Sequence, residues 1–308
     1  MKTHRFTIQT LTAFGTPLVG DSLFGQLCWA IVHTKGESHL NNLLNGYDTN
    51  QPFMVVSDAM PHNYLPLPTL PSKYWKVGEE QDRKKLKKKQ WIEIECTKQS
   101  IELWQQNAKA ENEIMQKEIH SHLHNTLDRQ NNTTGTGMFA PYSQDEIWYK
   151  PNTTLDLYIV FDENRISSEE INSLLENIGK YGFGRDASIG LGKFSVTNTE
   201  SFEYHQNTEN AYLTLANCSP ANLNLNKEFS FYQITTRFGR HGDIKALSNN
   251  PFKKPILLAK TGAVFTPKQW ENKTFLGNGL KNISYSQNDA VHQGYAPVLP
   301  LTIEFENK

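Results

Sequence analysis

Between residues 182 and 194 the chain reads Gly-Phe-Gly-Arg-Asp-Ala-Ser-Ile-Gly-Leu-Gly-Lys-Phe. Glycines at 182, 184, 190 and 192 let the backbone reach positive φ and turn its N–H groups toward an anion, and Arg185 and Lys193 set charge beside them. A helix C-cap followed by a turn needs only one glycine pair; two pairs with interleaved cations point to a phosphate cradle. The segment is not a P-loop, because Gly192-Lys193 is followed by Phe194. Nor is it a dinucleotide fingerprint, which follows a first strand, whereas a helical pattern precedes this loop. Tyr181-Gly-Phe-Gly184 echoes an RNA-recognition signature, but Arg185-Asp186 break its apolar strand. Binding of an RNA backbone is the chemistry that remains. Its candidate contacts are Gly182, Phe183, Gly184, Arg185, Ser188, Gly190, Gly192 and Lys193, with bases stacked on Phe183, Phe139 or Phe238.

Other segments carry weaker signals. In Thr16–Gly25 a helix start would present free N–H groups around Gly20, Asp21 and Ser22, with Asp21 or Ser22 as its cap. Arg237, Phe238, Gly239 and Arg240 suit phosphate pairing plus base stacking, although a solvated basic turn explains them equally well. His120, His122 and His124 alternate, so one strand face could carry all of them as metal ligands or as a ribonuclease acid and base. No carboxylate or Cys stands at ligand spacing, so we expect solvated or RNA-facing histidines, no metal and no cofactor. The basic run Arg83–Lys89 reads as a solvated helix face.

Bulk properties bound these readings. A chain of 308 residues suits two domains, and 37% hydrophobic with 20% charged residues is enough for ordinary cores. A net charge of −1 leaves room for a local basic groove only. Cys28, Cys96 and Cys218 form no Cys-x-x-Cys pair, which argues against a thiolate zinc site or disulfide framework and fits a reducing cytoplasm. The N-terminal residues show no signal h-region, and the apolar stretch Leu23–Val32 is too short to cross a bilayer.

The elements that position the candidates follow from periodicity. Phe6, Ile8 and Thr10 alternate as a strand, and Leu23, Phe24, Leu27, Cys28 and Ile31 fall on one helical face. Phe53–Ser57 reads as a short buried strand, followed by an extended, proline-rich surface segment, Pro61–Pro71. Residues from Glu79 to Ile119 read as a helical insertion with a sparse stripe of Trp91, Ile94, Ile101 and Ala108. Asn125–Gly137 reads as a mobile loop or hairpin tip. Leu155–Phe161 alternates as a strand, and Ser167 with Glu170 makes a capping box for a helix bearing Ile171, Leu174, Leu175 and Ile178. Phe194 and Val196 open another strand. The order is β-α-β, an insertion, then β-α-β, which is ferredoxin-like. Strands are expected at Ala211–Leu215, Phe229–Thr236, Ile256–Phe265 and Pro297–Phe305, with weak helix signals. The fold class is therefore α+β. Domain 1-204 is a ferredoxin-like (RRM-like) unit with an insertion at about 58-150 and the glycine-rich loop 182-194. Domain 205-308 is a β-rich, degenerate copy.

In their order along the chain, these segments resemble the RAMP superfamily of CRISPR effector proteins. The likeness is greatest to the crRNA 5′-tag-capping subunit of type III-A (Csm-type) complexes. It is carried by Thr16–Ala30, Val56–Pro61 with Tyr64–Pro68, His124–Arg129 with Thr134–Gly137, the glycine loop, Arg237–Arg240 and Thr261–Phe265. The resemblance implies two ferredoxin-like halves and a non-catalytic, cytoplasmic subunit that binds the crRNA 5′ tag. It implies a thumb hairpin around Arg129–Phe139, which adds His124, Arg129, Gly135, Thr136, Met138 and Phe139 to the RNA-binding set. The implied neighbours are the large polymerase-like subunit and the backbone RAMP subunit, with no membrane. The alternatives are a metal-independent RAMP endoribonuclease that processes crRNA precursors, using His120, His122 or His124, or a purely structural scaffold.

Overall fold

The computed structural model describes residues 1–305 except 79, 81, 136, 207 and 248. The first strand, β1 (Lys2–Thr10), leads into α1 (Gly20–Lys35), a short α2 (Glu37–Leu43), β2 (Met54–Val56) and β3 (Met60–Pro61). An inserted block follows, made of β4 (Tyr64–Pro66), α3 (Arg83–Lys88), β5 (Lys89–Glu93), α4 (Trp104–Asn107), β6 (Lys109–Ala110) and α5 (Glu111–Ile114). A hairpin of β7 (Lys117–His124) and β8 (Tyr142–Tyr149) returns the chain to β9 (Thr154–Phe161), α6 (Ser168–Tyr181) and β10 (Phe194–Ser201).

The main sheet runs β10-β1-β9-β2, all antiparallel, with β3 also on β9. Counted among the four principal strands this is the 4-1-3-2 order of a ferredoxin-like unit, as the β-α-β pattern requires. α1 and α6 cover one face through Leu23, Phe24, Leu27 and Ile31 and through Ile171, Leu174, Leu175 and Ile178, packed on Phe6, Ile8, Leu157 and Ile159. Ser167 Oγ accepts from the Glu170 N–H at 3.2 Å and so caps α6.

The remaining strands are β11 (Ala211–Thr214), β12 (Ile234–Arg237), β13 (Ile256–Ala259), β14 (Val264–Phe265), β15 (Phe275–Leu280) and β16 (His292–Leu301). A second sheet runs β14-β11-β16-β15, and β12 with β13 makes a separate ribbon. β16 packs against α1 and β2. There the buried Gln293 acts as a surrogate strand: its Oε1 accepts from Val56 N–H and its Nε2 donates to Val56 O, both at 2.8 Å. Tyr295 Oη donates to Tyr47 O at 2.6 Å beside it.

The helical reading of Glu79–Ile119 is corrected, with residues 79 and 81 themselves outside the described set. The segment is a strand-centred block in which β5 joins β4 to β6. Its apolar residues are too sparse for a continuous stripe. Ile92, Ile101 and Trp104 instead bury with Leu65, Tyr158, Leu213 and Leu299 in a second core. The same core takes in Leu65, so the proline-rich stretch is not wholly a surface segment. In the second half the expected strand Phe229–Thr236 is confined to Ile234–Arg237, and Ile256–Phe265 breaks into two strands around Thr261-Gly262, where Gly262 has φ +86°. β15 is an element the alternation did not reveal, because glycines at 277 and 279 interrupt its pattern.

Candidate nucleic-acid interface

The glycine loop leaves the end of α6 and folds back over the link between β1 and α1. Most of its N–H groups are engaged within the protein. Gly182 donates to Ile178 O, Phe183 to Gly192 O and Gly192 to Ala13 O, at 2.7, 2.9 and 2.7 Å. Arg185 and Lys193 donate their backbone N–H to the Thr16 and Thr12 hydroxyls, each at 2.9 Å. Ile189, Gly190 and Leu191 donate to Asp186 O, Ala187 O and Asp186 O. Among the described residues this leaves the N–H groups of Gly184, Asp186, Ala187 and Ser188 without a partner, on the outer bend of the loop.

The glycines divide by what stands beside them. A Cβ on Gly182 would strike Leu191 O, and one on Gly192 would strike Phe183 O, so these two serve close backbone packing. Gly184 packs on Thr16. Only Gly190, at φ +103°, opens onto free space. The cradle expected over the whole of 182–192 is thus corrected to its outer bend around Ser188, which is exposed. Half-buried Lys193 brings an ammonium with no partner among the described residues. Phe183 is also corrected: at 1% exposure it belongs to the first core and cannot stack on a base. A ring that can is that of Tyr181, 81% exposed at the end of α6, a residue quoted in the sequence only within the RNA-recognition echo and not placed among the contacts.

The root of the β7–β8 hairpin closes one side of this loop. Phe14 and Ile147 exchange backbone hydrogen bonds of 2.9 Å, and Arg185 Nη2 donates to Asp145 O at 2.5 Å. Arg185 Nε lies 3.4 Å from Asp186 Oδ2, so its charge is partly matched at home. His120, His122 and His124 share one hairpin face, as their alternation requires. His120 Nε2 lies 3.0 Å from Glu118 Oε2 and His122 Nε2 3.4 Å from Glu146 Oε2. His124 stacks on Tyr142 with ring centroids 5.4 Å apart. No group of three His, Cys, Asp or Glu among the described residues is arranged to hold a metal ion. Toward the tip, Arg129 and Gly135 are exposed, Met138 sits in the turn Gly137–Phe139, and Phe139 is half-buried. Thr136 lies outside the described residues.

The start of α1 departs most from expectation. Its N-cap is Val19, with no side-chain cap, so neither Asp21 nor Ser22 fills that role. Gly20 N–H donates to Asp58 Oδ1 at 2.8 Å, and a Cβ at Gly20 would strike Val56 O, so this helix end is closed to an RNA phosphate. Asp21 is buried and held by Arg237 through two hydrogen bonds of 2.7 Å, while Arg237 Nη2 also donates to Ser22 Oγ at 3.1 Å. His292 Nε2 approaches the same carboxylate at 3.3 Å. Burial works to raise the Asp21 pKa, but His292 and the Arg237 guanidinium outweigh it and hold the carboxyl well below the usual range. Asp21, Ser22 and Arg237 therefore form a clasp between the two halves rather than a phosphate site, and Gly20 is closed off by Asp58 beside it. Asp58, held also by Thr261 Oγ1 at 2.5 Å, is pushed up to about 6 by burial against those hydrogen bonds. Phe238 and Arg240 point outward from the strand end beyond the clasp, and Gly239 packs on the Lys253 side chain.

No family model matches the sequence, and no curated protein matches it. Solved structures do match along the whole chain. A chain of a Csm1–Csm4 cassette in complex with pppApA aligns at TM-score 0.60 and 14% identity, over 99% of this chain and 100% of that one. One from a Csm1–Csm4 cassette in complex with cA3 gives 0.57 at 16% identity, over 99% and 100%. One from the Csm3–Csm4 subcomplex of a type III-A CRISPR–Cas interference complex gives 0.56 at 15% identity, over 98% and 100%. With its 4-1-3-2 sheet, inserted block and second sheet, this chain has the α+β fold found in the Csm4-containing structures of type III-A CRISPR–Cas complexes.

Proposed function

We propose that this chain is a non-catalytic subunit of a type III-A CRISPR effector complex that binds and caps the 5′ tag of the crRNA. By the same reading it meets a large polymerase-like subunit and a backbone RAMP subunit. The observation that carries the proposal is the likeness to chains of solved Csm4-containing assemblies, which covers 98–99% of this chain and 100% of the matched ones. The local geometry supports it. The outer bend of the glycine loop offers unpartnered N–H groups at Gly184, Asp186, Ala187 and Ser188, with Lys193 and Tyr181 beside them. Phosphate oxygens suit such N–H groups, and an exposed ring suits an unpaired base. The hairpin root, tied to the loop through Arg185 and Phe14, would steer the strand past His124 and Arg129.

The test is retention of guide RNA by the assembled complex. Ser188→Asp puts a carboxylate among the free N–H groups of an exposed bend, and Lys193→Glu reverses the neighbouring charge. Both leave the core untouched. Complexes carrying the pair should purify with wild-type protein stoichiometry and strongly reduced crRNA. Undiminished crRNA would remove the loop from the binding site. The endoribonuclease alternative separates in one assay, since a repeat-RNA cleavage product abolished by His124→Ala would establish it.

A further inference from the structure

Beyond the clasp, three stretches of chain run side by side: 237–241, 251–254 and 283–285. His241 N–H donates to Pro251 O, Lys253 N–H to Gly239 O and Lys254 N–H to Ile283 O, at 2.8, 2.8 and 2.7 Å. Bridges pair Arg240 with Phe252 and Lys253 with Ser284. Side chains of extended chain alternate between faces, as they do along 238–241 and 252–254, while in the third stretch Ile283 and Ser284 are both buried and Tyr285 is exposed. His241 and Ser284 turn inward, buried and joined at 2.7 Å, with Lys253 half-buried beside them. Phe238, Arg240, Phe252, Lys254 and Tyr285 turn outward.

Each of those five outward side chains is aromatic or cationic. The rings are 78%, 61% and 60% exposed at Phe238, Phe252 and Tyr285. The Arg240 guanidinium lies 5.8 Å from the Phe252 centroid, and Lys254 Nζ lies 5.6 Å from that of Tyr285. The segment 227–260, which supplies two of the three stretches, carries seven Lys or Arg, Arg237 of the clasp among them, against two Asp or Glu, in a chain of net charge −1. One of the two, Asp243, is already held by His33 at 2.6 Å. Bare rings interleaved with cations answer two needs of one ligand: base faces to stack and phosphates to neutralise. A purely apolar partner would leave the cations buried without counter-charge, and a duplex would offer no open base faces.

We propose that this face is a second nucleic-acid site, which takes single-stranded RNA with bases on Phe238, Phe252 and Tyr285 and phosphates on Arg240 and Lys254. It stands on its own geometry and does not require the glycine loop to hold RNA. The test uses the full chain and a short 4-thiouridine-containing oligouridylate, read by fluorescence anisotropy and by the position of the photo-crosslink. Phe238→Ala with Phe252→Ala, and separately Tyr285→Ala, should each weaken binding about fivefold or more, the loss expected for a stacked base. Arg240→Glu with Lys254→Glu should weaken it and flatten its salt dependence. Crosslinks should map to the peptides holding Phe238, Phe252 or Tyr285 and persist in Ser188→Asp, whose own readout is crRNA retention by the complex. The proposal is overturned if the ring variants bind the oligomer as wild type does, or if oligouridylate annealed to oligoadenylate binds as well as the single strand. It is equally overturned if the ring variants keep RNA and lose a protein neighbour of the assembled complex, which would make the face a protein dock. Unchanged melting temperatures in these exposed positions exclude unfolding as the cause.

Discussion

Arg237→Ala isolates the clasp between the halves. In the native chain the Arg237 guanidinium holds the buried Asp21 carboxylate through two 2.7 Å hydrogen bonds, and the Asp21 side chain is 2% exposed. Removing the cation leaves that charge with the Ser22 hydroxyl, which donates to Asp21 Oδ1 at 3.1 Å, and with His292 3.3 Å away. Breaking one side of a buried pair costs about 3–5 kcal/mol, and the partial exposure of Arg237 together with His292 places this case at about 3 kcal/mol. For a chain of this length that corresponds to a drop of roughly 5 °C in the unfolding midpoint. The pH dependence gives a second signature. The folded Asp21 pKa is depressed, so its contribution is present above the unfolded value, about 4, and is lost as pH falls below it. The deficit of Arg237→Ala should therefore be full at neutral pH and shrink as pH falls below about 4 toward the depressed folded value, where Asp21 takes up its proton. Thermal melts of wild type, Arg237→Ala, Asp21→Asn and the double variant give the coupling directly. A midpoint within about 1 °C of wild type at neutral pH, or a coupling under about 0.5 kcal/mol, would refute the reasoning. Loss of guide RNA from the double variant would return Arg237 to the RNA-binding set.

Gln293→Ala should cost roughly 2–4 kcal/mol in a denaturant melt, since it leaves both the N–H and the carbonyl of buried Val56 without partners. Asp58 is pushed up to about 6, so the folded chain binds this proton more tightly and stability falls as pH rises from about 4 to 6. Asp58→Asn, compared with wild type across that window, should remove a slope amounting to about 2 kcal/mol, and identical profiles would place the Asp58 carboxyl in water. Gly192→Ala meets Phe183 O at φ +75° and should lower the melting midpoint by several degrees, whereas Gly190→Ala, strained but unobstructed, should cost about 1–2 kcal/mol. Equal losses at the two positions would contradict the division of the loop into packing and open glycines.

The ferredoxin-like half was legible because its signals are local: alternation at Phe6–Thr10 and Leu155–Phe161, and one apolar face each on α1 and α6. The insertion was not legible, since Trp91 and Ile101 at wide spacing fit a loose helical stripe as well as a strand and turns. In the glycine loop the turn was evident, but its orientation was not. Gly182 and Gly190 share positive φ and are alike in sequence, and only the chain packed beside them decides that one is enclosed and the other open. Phe183 has the look of a stacking ring because glycines flank it, yet those glycines let the loop close over it. Arg237 and Asp21 stand 216 residues apart, so no spacing rule could pair them, and each in isolation resembled a ligand for RNA. The outward placement of Phe252, Lys254 and Tyr285 was hidden for a related reason: it needs three segments joined by single bridges.

The central claim is that the outer bend of the glycine loop holds the 5′ tag. It is tested most directly by assembling the complex on crRNA with 4-thiouridine placed singly through the tag and mapping the crosslinked peptides. The account predicts crosslinks to the stretch from Tyr181 to Lys193 and to the hairpin root, abolished by Ser188→Asp with Lys193→Glu. Tag crosslinks confined to neighbouring subunits, with none on this chain, would contradict it.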